Sequence, residues 1–277
     1  MTDSEKNIRE EIDVIKWRDR FAFECGGIKV GVKINDLNVK SKLKKVLPVA
    51  SREIDFGEAD EILMLVVGEN RRVNGLYYKY ELIHQFDDCN DALLNLIGDK
   101  ILMFLALISL PRILYLHAGA VSWNNTGIIL PGGSFSGKTT LVKEFIKAGA
   151  DYITDDLTLL DIRGNILPFP RALAIRTKRG REIKTADCFG AKTVAENVKL
   201  KLILFTEFEE NARWKPEILP PGQAVLRLMN NFYYKPSVRE APMQILRTLA
   251  GITDGIKIYA GKRGNAKSVI NWVVKNF

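Results

Sequence analysis

A glycine-rich segment near the middle of the chain has the residue types and the spacing of a phosphate-binding loop. It runs from Gly132 to Thr139 and spells GGSFSGKT, which matches the pattern G-x-x-x-x-G-K-[ST] at every fixed position. Glycine permits backbone angles that other residues resist, so such a loop can wrap closely around phosphate groups. Its backbone N–H groups then point inward and bind an anion.

Each part of this loop predicts a different contact with ATP and Mg²⁺. Lys138 is expected to reach the β- and γ-phosphates as a mobile positive charge, and the Thr139 hydroxyl is expected to bind Mg²⁺. The helix that follows presents its positive N-terminal end to the phosphates. The predicted nucleotide-binding residues of this segment are Gly132, Gly133, Ser134, Phe135, Ser136, Gly137, Lys138, Thr139 and Thr140.

Phosphoryl transfer also needs a carboxylate near the metal ion and a group that orients the nucleophile. Asp155 and Asp156, adjacent in the stretch YITDDLTLL, are the first candidates for these roles. The structural alternative for this pair is an Asx-rich turn at the end of a strand. Glu207, which follows the apolar run over residues 202–206, is a second candidate acid.

A histidine precedes the loop. His117 comes directly before Ala118, on a strand that leads toward the predicted nucleotide site. From there it can face the γ-phosphate or the hydroxyl group of a substrate, and a purely structural role is the alternative. The other histidine, His84, lies in a Tyr-rich strand and is expected to be partly buried.

Three elements must position these residues. The motif requires a strand before the loop and a helix after it, and residues 128–130 and 138–148 have the matching apolar patterns. A strand over residues 152–154 is expected to run beside the P-loop strand, which would bring both aspartates to the phosphates.

The rest of the pattern predicts a smaller α+β module over residues 1–110 and an α/β catalytic domain over residues 111–277. In the first module, strands are predicted over residues 28–34, 62–67 and 76–83, and a helix over residues 91–109. In the second, strands are predicted over residues 113–123, 126–131, 157–161, 201–206 and 224–229, with turns at residues 124–125 and 163–165. Helices are predicted over residues 237–249 and 265–275.

The composition is ordinary for a soluble globular protein: 277 residues, of which 47% are hydrophobic and 27% charged. Only the polar first dozen residues favour disorder. The net charge is +8, but the basic residues are spread along the chain and no aromatic-plus-basic recognition motif accompanies them. Binding to nucleic acid is therefore not expected.

The apolar run over residues 101–110 is too short to span a bilayer, so it predicts a buried helix. The acidic, polar N-terminus is unlike a signal peptide, and a cytoplasmic protein with no membrane span is expected. Cys25, Cys89 and Cys188 are far apart and have no CxxC spacing. They predict three reduced, mostly buried thiols with no zinc site or disulfide.

Taken together, these residues resemble the catalytic domain of HPr kinase/phosphorylase and its relatives, which include the kinases that phosphorylate lasso-peptide precursors. The segments that carry the resemblance are HAGAV from His117, GGSFSGKTT, AGADYITDD, and RGN from Arg163 followed by PFPR ending at Arg171. The core of the resemblance covers about residues 113–176.

The resemblance implies a fold shared with phosphoenolpyruvate carboxykinases, in which a twisted mixed β-sheet carries the P-loop. It implies ATP-dependent phosphorylation of a serine hydroxyl in a protein or peptide. It further implies that Asp155 is a general base or a metal ligand, and that Arg171 and Arg176 contact phosphate or substrate. The predicted catalytic residues are His117, Lys138 and Asp155, and the predicted metal ligands are Thr139, Asp155 and Asp156.

Three features differ from HPr kinases proper. Phe135 stands where those enzymes have glycine, the stretch over residues 174–182 has no Glu before its Arg, and the N-terminal module is not the usual one. The sequence therefore does not identify the phosphoacceptor. HPr kinases assemble as hexamers, and homo-oligomerisation is left as a possibility for this chain. The main hypothesis is a serine kinase; the alternatives are a nucleotide-binding regulatory ATPase with no acceptor of its own and a basic, nucleic-acid-binding ATPase.

Overall fold

The computed structural model describes residues 3–48, 51–68, 73–86, 91–133, 136–177, 180–233 and 242–277. The loop residues Ser134 and Phe135, as well as Cys89 and the start of the helix predicted over residues 237–249, lie outside these ranges. The chain divides into two compact units, Met1–Ile108 and Ser109–Phe277.

The first unit contains a mixed sheet of six strands and three described helices. The strands are β1 (Asp19–Cys25), β2 (Ile28–Ile34), β3 (Arg52–Ile54), β4 (Glu61–Val66), β5 (Gly75–Tyr78) and β6 (Glu81–Gln85), and the helices are α1 (Asp3–Asp13), α2 (Leu37–Val46) and α3 (Asp91–Ile108). The strand order is β3-β1-β2-β4-β5-β6, with β2 and β4 parallel. Val30, Val32 and Ile34 are buried, as the alternating pattern of β2 predicts. Helix α3 confirms the buried helix predicted for the apolar run.

Two sequence predictions for this unit are wrong. Residues 76–83 form two strands rather than one, because Lys79 and Tyr80 adopt positive φ angles of 48° and 67° and turn the chain into a hairpin. The first dozen residues are helical in α1 from Asp3 onward. There Ile8 and Ile12 pack against a cluster that includes Tyr77, and this burial outweighs the polar composition of the segment.

The second unit contains a mixed sheet of nine strands, a separate hairpin and four described helices. The strands of the sheet are β7 (Ile113–Leu116), β8 (Ala118–Trp123), β9 (Thr126–Pro131), β10 (Asp151–Thr154), β11 (Thr158–Asp161), β12 (Asn165–Leu167), β15 (Val198–Phe208), β16 (Glu217–Ile218) and β17 (Lys257–Arg263). The hairpin is β13 (Leu173–Thr177) and β14 (Gly180–Lys184), and the helices are α4 (Lys138–Lys147), α5 (Pro221–Met229), α6 (Pro242–Thr253) and α7 (Ala266–Asn276). The main path of the sheet is β10-β8-β9-β15-β12-β11-β7, and β17 lies beside β15.

Helices cover both faces of this sheet. Ile129 and Ile203 belong to a core cluster that includes residues of α5 and α6. Their neighbours Ile128 and Leu202 belong to a second cluster, formed with residues of α4 and α7. A strand that is buried on both faces needs a continuous apolar run, which explains the sequences of β9 and β15. The turn predicted at residues 124–125 is confirmed, since Asn124 and Asn125 have φ angles of 50° and 59° between β8 and β9.

Three further predictions are corrected. Residues 224–229 are helical in α5, where Pro221 occupies the first turn and Ala224, Val225 and Leu228 form one buried face. The strand predicted over residues 113–123 breaks at His117 into β7 and β8. β10 pairs with β8, so it lies one strand away from the P-loop strand β9 rather than beside it.

The two described cysteines differ in exposure. Cys25 is buried, and burial raises the pKa of its thiol to about 11. Cys188 is exposed, which differs from the expectation of mostly buried thiols. Within the described ranges, no helix is both long enough and apolar enough to cross a membrane.

Candidate functional site

Four strands of the second unit end at the same edge of the sheet. β9, β15 and β17 are parallel to one another. β10 runs in the direction of β9, because both strands are antiparallel to β8. The segment predicted as a P-loop follows β9, the Asp155–Asp156 turn follows β10, and Arg263 ends β17. Segments that follow the carboxyl ends of such strands meet at one edge, which is where open α/β sheets bind ligands.

In the described part of the loop, the local geometry favours glycine at both fixed glycine positions of the motif. Gly137 has a φ of +80° and directly precedes α4. A Cβ atom on Gly132 would lie 2.5 Å from Ser136 Oγ, so a larger residue does not fit there without a shift. Leu141 and Phe145 are fully buried and anchor α4. The N-terminal end of this helix therefore lies at the loop, where its free N–H groups and its dipole favour an anion.

The Lys138 ammonium lies inside the loop. Its Nζ donates to the carbonyl oxygens of Gly132 at 2.7 Å and Gly133 at 2.9 Å, and it lies 3.3 Å from His117 Nε2. Its side chain is buried, and this desolvation lowers the pKa of Lys138, although the charges of Asp156 and Asp155 oppose the shift. A bound phosphate would offer this desolvated cation a full negative charge in place of two neutral carbonyls.

Thr139 connects the loop to the first aspartate. Its Oγ1 donates to Asp155 Oδ2 at 2.7 Å. Asp155 is only 1% exposed, and its Oδ1 has no hydrogen-bond partner within the described residues. Burial is the main cause that raises the pKa of Asp155, and the hydrogen bond from Thr139 opposes it. A buried carboxylate oxygen without a partner is costly, so this atom marks a place where a cation would be stabilising.

Side-chain hydrogen bonds from two threonines hold the turn that carries both aspartates. Thr154 Oγ1 donates to the carbonyl oxygen of Leu157 at 2.8 Å, and Thr158 Oγ1 donates to that of Ala118 at 2.9 Å. Asp156 has a φ of +73°, an unfavourable backbone conformation for a residue other than glycine. Such strain is retained where the surrounding structure enforces it, and it is frequent at functional sites.

The second aspartate pairs with the histidine. His117 Nε2 lies 2.5 Å from Asp156 Oδ1, while the His117 backbone N–H donates to Asn231 O at 2.6 Å. The Asp156 side chain is 49% exposed, in contrast to that of Asp155. The hydrogen bond with His117 is the main cause that lowers the pKa of Asp156, and the charges of Lys138 and Arg171 also lower it.

For the other predicted residues, the structure shows less contact with this site. Arg171 precedes β13, and its carbonyl oxygen accepts a hydrogen bond from the Tyr152 hydroxyl. The Arg176 side chain lies outside the described part of the structure, although its backbone belongs to β13. Glu207, the alternative acid, has an exposed side chain on β15, whereas Asp155 is the carboxylate that contacts Thr139.

The structure adds Arg263, which sequence reasoning missed. Its Nη2 donates to the carbonyl oxygens of Gly137 at 3.0 Å and Ser136 at 3.3 Å, and the side chain is 2% exposed. A Cβ atom on Gly137 would collide with this guanidinium. The sequence signal that could point to it is Arg263-Gly264-Asn265, which lies directly before the predicted C-terminal helix. The pattern does not predict β17, so it gives no position for Arg263 at the end of a strand.

The donor set suits a magnesium ion. The Thr139 hydroxyl and the Asp155 carboxylate offer oxygen donors, and Asp155 Oδ1 is buried and finds no partner in the part of the chain that the structure describes. Among the described residues, no three His, Cys, Asp or Glu side chains cluster as a metal site. Mg²⁺ is usually held by one or two carboxylates together with phosphate oxygens and water, so these residues fit it when a nucleotide is bound.

Comparison with solved structures finds similarity to the HPr(Ser) kinase/phosphatase from Coxiella burnetii. The two chains are 15% identical, with a TM-score of 0.29, and the comparison covers 58% of this chain and 92% of that one. No protein-family model matches the sequence, and no curated protein matches it. Inference about function therefore rests on the residues of the site.

Proposed function

We propose that this protein is an ATP-dependent kinase of HPr-kinase-like type, which transfers the γ-phosphoryl group to a serine or other hydroxyl of a protein or peptide. One observation carries the proposal. Asp155 accepts a hydrogen bond from the P-loop residue Thr139, while the adjacent Asp156 pairs with His117 next to Lys138. A loop that only turned a strand into a helix would not need two carboxylates, an imidazole and an ammonium around it.

Binding of the triphosphate would use the loop and Lys138. The first turn of α4 offers N–H groups, and the Lys138 ammonium is held against the carbonyl oxygens of Gly132 and Gly133. On binding, Lys138 would exchange the two carbonyl oxygens for phosphate oxygens, whereas the N–H groups of α4 are held in place by the helix before the ligand arrives. Preorganised donors of this kind stabilise the charge that develops on the transferred phosphoryl group.

Thr139 and Asp155 would hold Mg²⁺, which supplies charge neutralisation between the phosphates when it is bound. With Asp155 buried at this position, Asp156 is the carboxylate left to meet an acceptor. Its side chain is half-exposed and is oriented by His117. We assign Asp156, with His117, the role of receiving the hydroxyl proton as the acceptor oxygen attacks the γ-phosphorus and ADP leaves.

The alternative is a regulatory ATPase that binds or slowly hydrolyses nucleotide. The two functions differ in where the phosphoryl group goes. The half-exposed Asp156–His117 pair supports transfer to an acceptor, because it offers a proton acceptor at a surface that a protein or peptide can reach.

The test is incubation of the purified protein with Mg²⁺ and γ-labelled ATP, together with the small proteins or peptides encoded beside it. We expect a labelled serine on one of them. Lys138→Ala should reduce labelling about 100-fold or more. Asp156→Asn should reduce it by roughly 10²–10⁴-fold with nearly unchanged ATP affinity. Release of inorganic phosphate with no labelled acceptor would support the regulatory ATPase instead. Full labelling by Lys138→Ala would refute the assignment of Lys138 and its loop to the triphosphate.

A further inference from the structure

A cavity of about 530 Å³ lies beside Gly137 and is lined by residues at the ends of β15 and β17, whereas the two aspartates follow β10, which β8 and β9 separate from β15. Its volume is within the range of small-molecule sites. The residues that line it include Gly137, Thr140, Phe208, Arg263, Asn265 and Lys267. It is therefore formed by the start of α4, the ends of β15 and β17, and the start of α7.

One wall contains a buried guanidinium. Arg263 is 2% exposed, and among the described residues its Nε has no hydrogen-bond partner and its guanidinium has no carboxylate partner. The same side chain holds the loop through the carbonyl oxygens of Ser136 and Gly137. Arg263 therefore contacts both the cavity and the predicted phosphate-binding loop.

The lining of the cavity also includes an exposed aromatic ring. Phe208 is 55% exposed at the end of β15, where it pairs in register with Arg263 on β17. The Arg263 guanidinium carbon lies 5.9 Å from the centre of the Phe208 ring. An aromatic residue left this exposed inside a cavity offers a flat face on which a nucleobase can stack.

The order of the strands decides which end of a nucleotide faces this cavity. β8 and β10 lie on one side of the P-loop strand β9, and β15 and β17 lie on the other. A γ-phosphate that reacts at Asp156 and His117 lies on the first side. The other end of the same ligand then points toward the cavity.

We propose that this cavity binds the nucleoside of the nucleotide, with its base stacked on Phe208 and Arg263 fixing the loop beneath it. The inference rests on the proposed function, because it takes the direction of the triphosphate from the transfer site. A peptide acceptor is disfavoured as the occupant, since its hydroxyl must reach the γ-phosphate on the opposite side of β9.

The experiment compares two ligands in the presence of Mg²⁺: ATP, and inorganic tripolyphosphate, which has no nucleoside. Isothermal titration calorimetry measures both affinities for the full-length protein. Phe208→Ala should weaken ATP binding about tenfold or more and leave tripolyphosphate binding unchanged. Phe208→Trp keeps an aromatic face and should retain ATP affinity. Ile162→Ala removes a side chain of similar exposure outside the cavity, so it should leave the affinity for either ligand unchanged.

The outcomes separate this inference from the function on which it rests. If wild type binds tripolyphosphate and Phe208→Ala binds ATP normally, the nucleoside site is wrong and the P-loop assignment stands. Equal loss of both ligands in Phe208→Ala also overturns the nucleoside site. If wild type binds neither ligand, the proposed function fails, and this inference fails with it.

Discussion

At the scale of single residues, Asp155 and Asp156 are neighbours whose surroundings shift their pKa values in opposite directions. Burial raises the pKa of Asp155, whereas the hydrogen bond with His117 lowers that of Asp156. Carboxylates in such different environments are suited to different roles. The buried one fits a metal-side ligand, and the half-exposed one fits proton transfer to or from a substrate.

Replacement of the buried carboxylate should stabilise the nucleotide-free protein. Because the pKa of Asp155 is raised in the folded state, its stabilising protonated form is lost as pH rises through that folded value. Asparagine is neutral at every pH, so the Asp155→Asn variant does not lose stability in this way. The melting temperature of the variant should exceed that of the wild type at pH 7, and the two values should approach each other near pH 4. A gain of 1 kcal/mol corresponds to a rise of about 2–4 °C in a chain of this size.

Thermal melts at several pH values, with and without Mg-ATP, check this prediction. Mg-ATP should stabilise the wild type strongly and the variant much less. Asp151→Asn makes the same chemical change at the partly exposed start of β10, four residues before Asp155, and should be close to neutral. A pH-independent difference between Asp155→Asn and wild type would contradict the assigned burial penalty.

At the scale of elements, the start of α4 is coupled to the end of β17 through Gly137 and Arg263. The glycine supplies a φ of +80° and also the space in which the guanidinium reaches the loop carbonyls. Loop, helix and strand thus share one contact, which fixes the helix N-terminus relative to the sheet.

Gly137→Ala should destabilise the protein and weaken nucleotide binding. The left-handed backbone costs roughly 1–2 kcal/mol for alanine, and the new methyl group displaces Arg263. Chemical denaturation measures the stability change. Adding Arg263→Ala removes the collision but not the backbone strain. The loss of unfolding free energy in the double variant should therefore be smaller than the sum of the losses in the two single variants.

Gly222→Ala is the matched control for this element. Gly222 lies in the first turn of α5, and a Cβ atom there meets no neighbour within 4 Å. Alanine is the better helix former, so this change should be neutral or slightly stabilising. Strictly additive losses in the Gly137 and Arg263 variants would show that the two residues do not act together.

At the scale of the whole molecule, each compact unit has core residues of its own. One cluster around Met64, Val66 and Tyr77 belongs to the first unit. Two larger clusters, on either face of the nine-stranded sheet, belong to the second. The residues proposed to bind nucleotide and to transfer phosphate also belong to the second unit.

A fragment of residues 109–277 should therefore fold cooperatively and bind Mg-ATP with an affinity similar to that of the full chain. Circular dichroism melts and calorimetry test both properties. The Lys138→Ala fragment controls for nonspecific binding. A fragment that unfolds without a cooperative transition would show that the second unit depends on the first.

Much of the secondary structure was predictable because local patterns specify it. The alternation of β2, the strand–loop–helix sequence around the P-loop and the Asn124-Asn125 turn depend on residues close in the chain. The prediction failed where tertiary context overrides local preference. The apolar pattern over residues 224–229 predicts a strand but the segment is helical in α5, and the hairpin within residues 76–83 has no glycine to mark it.

Local sequence is enough to recognise the pattern typical of a phosphate-binding loop, the nearby acidic pair and the preceding histidine. The tertiary structure alone decided how they are arranged: β8 lies between β9 and β10, Asp155 faces Thr139, and Asp156 faces His117. It also brought in Arg263, which contacts the loop across 126 positions of sequence. The physical reason is that spacing along a chain encodes turns and helices, whereas strand order and burial depend on how distant apolar segments pack together.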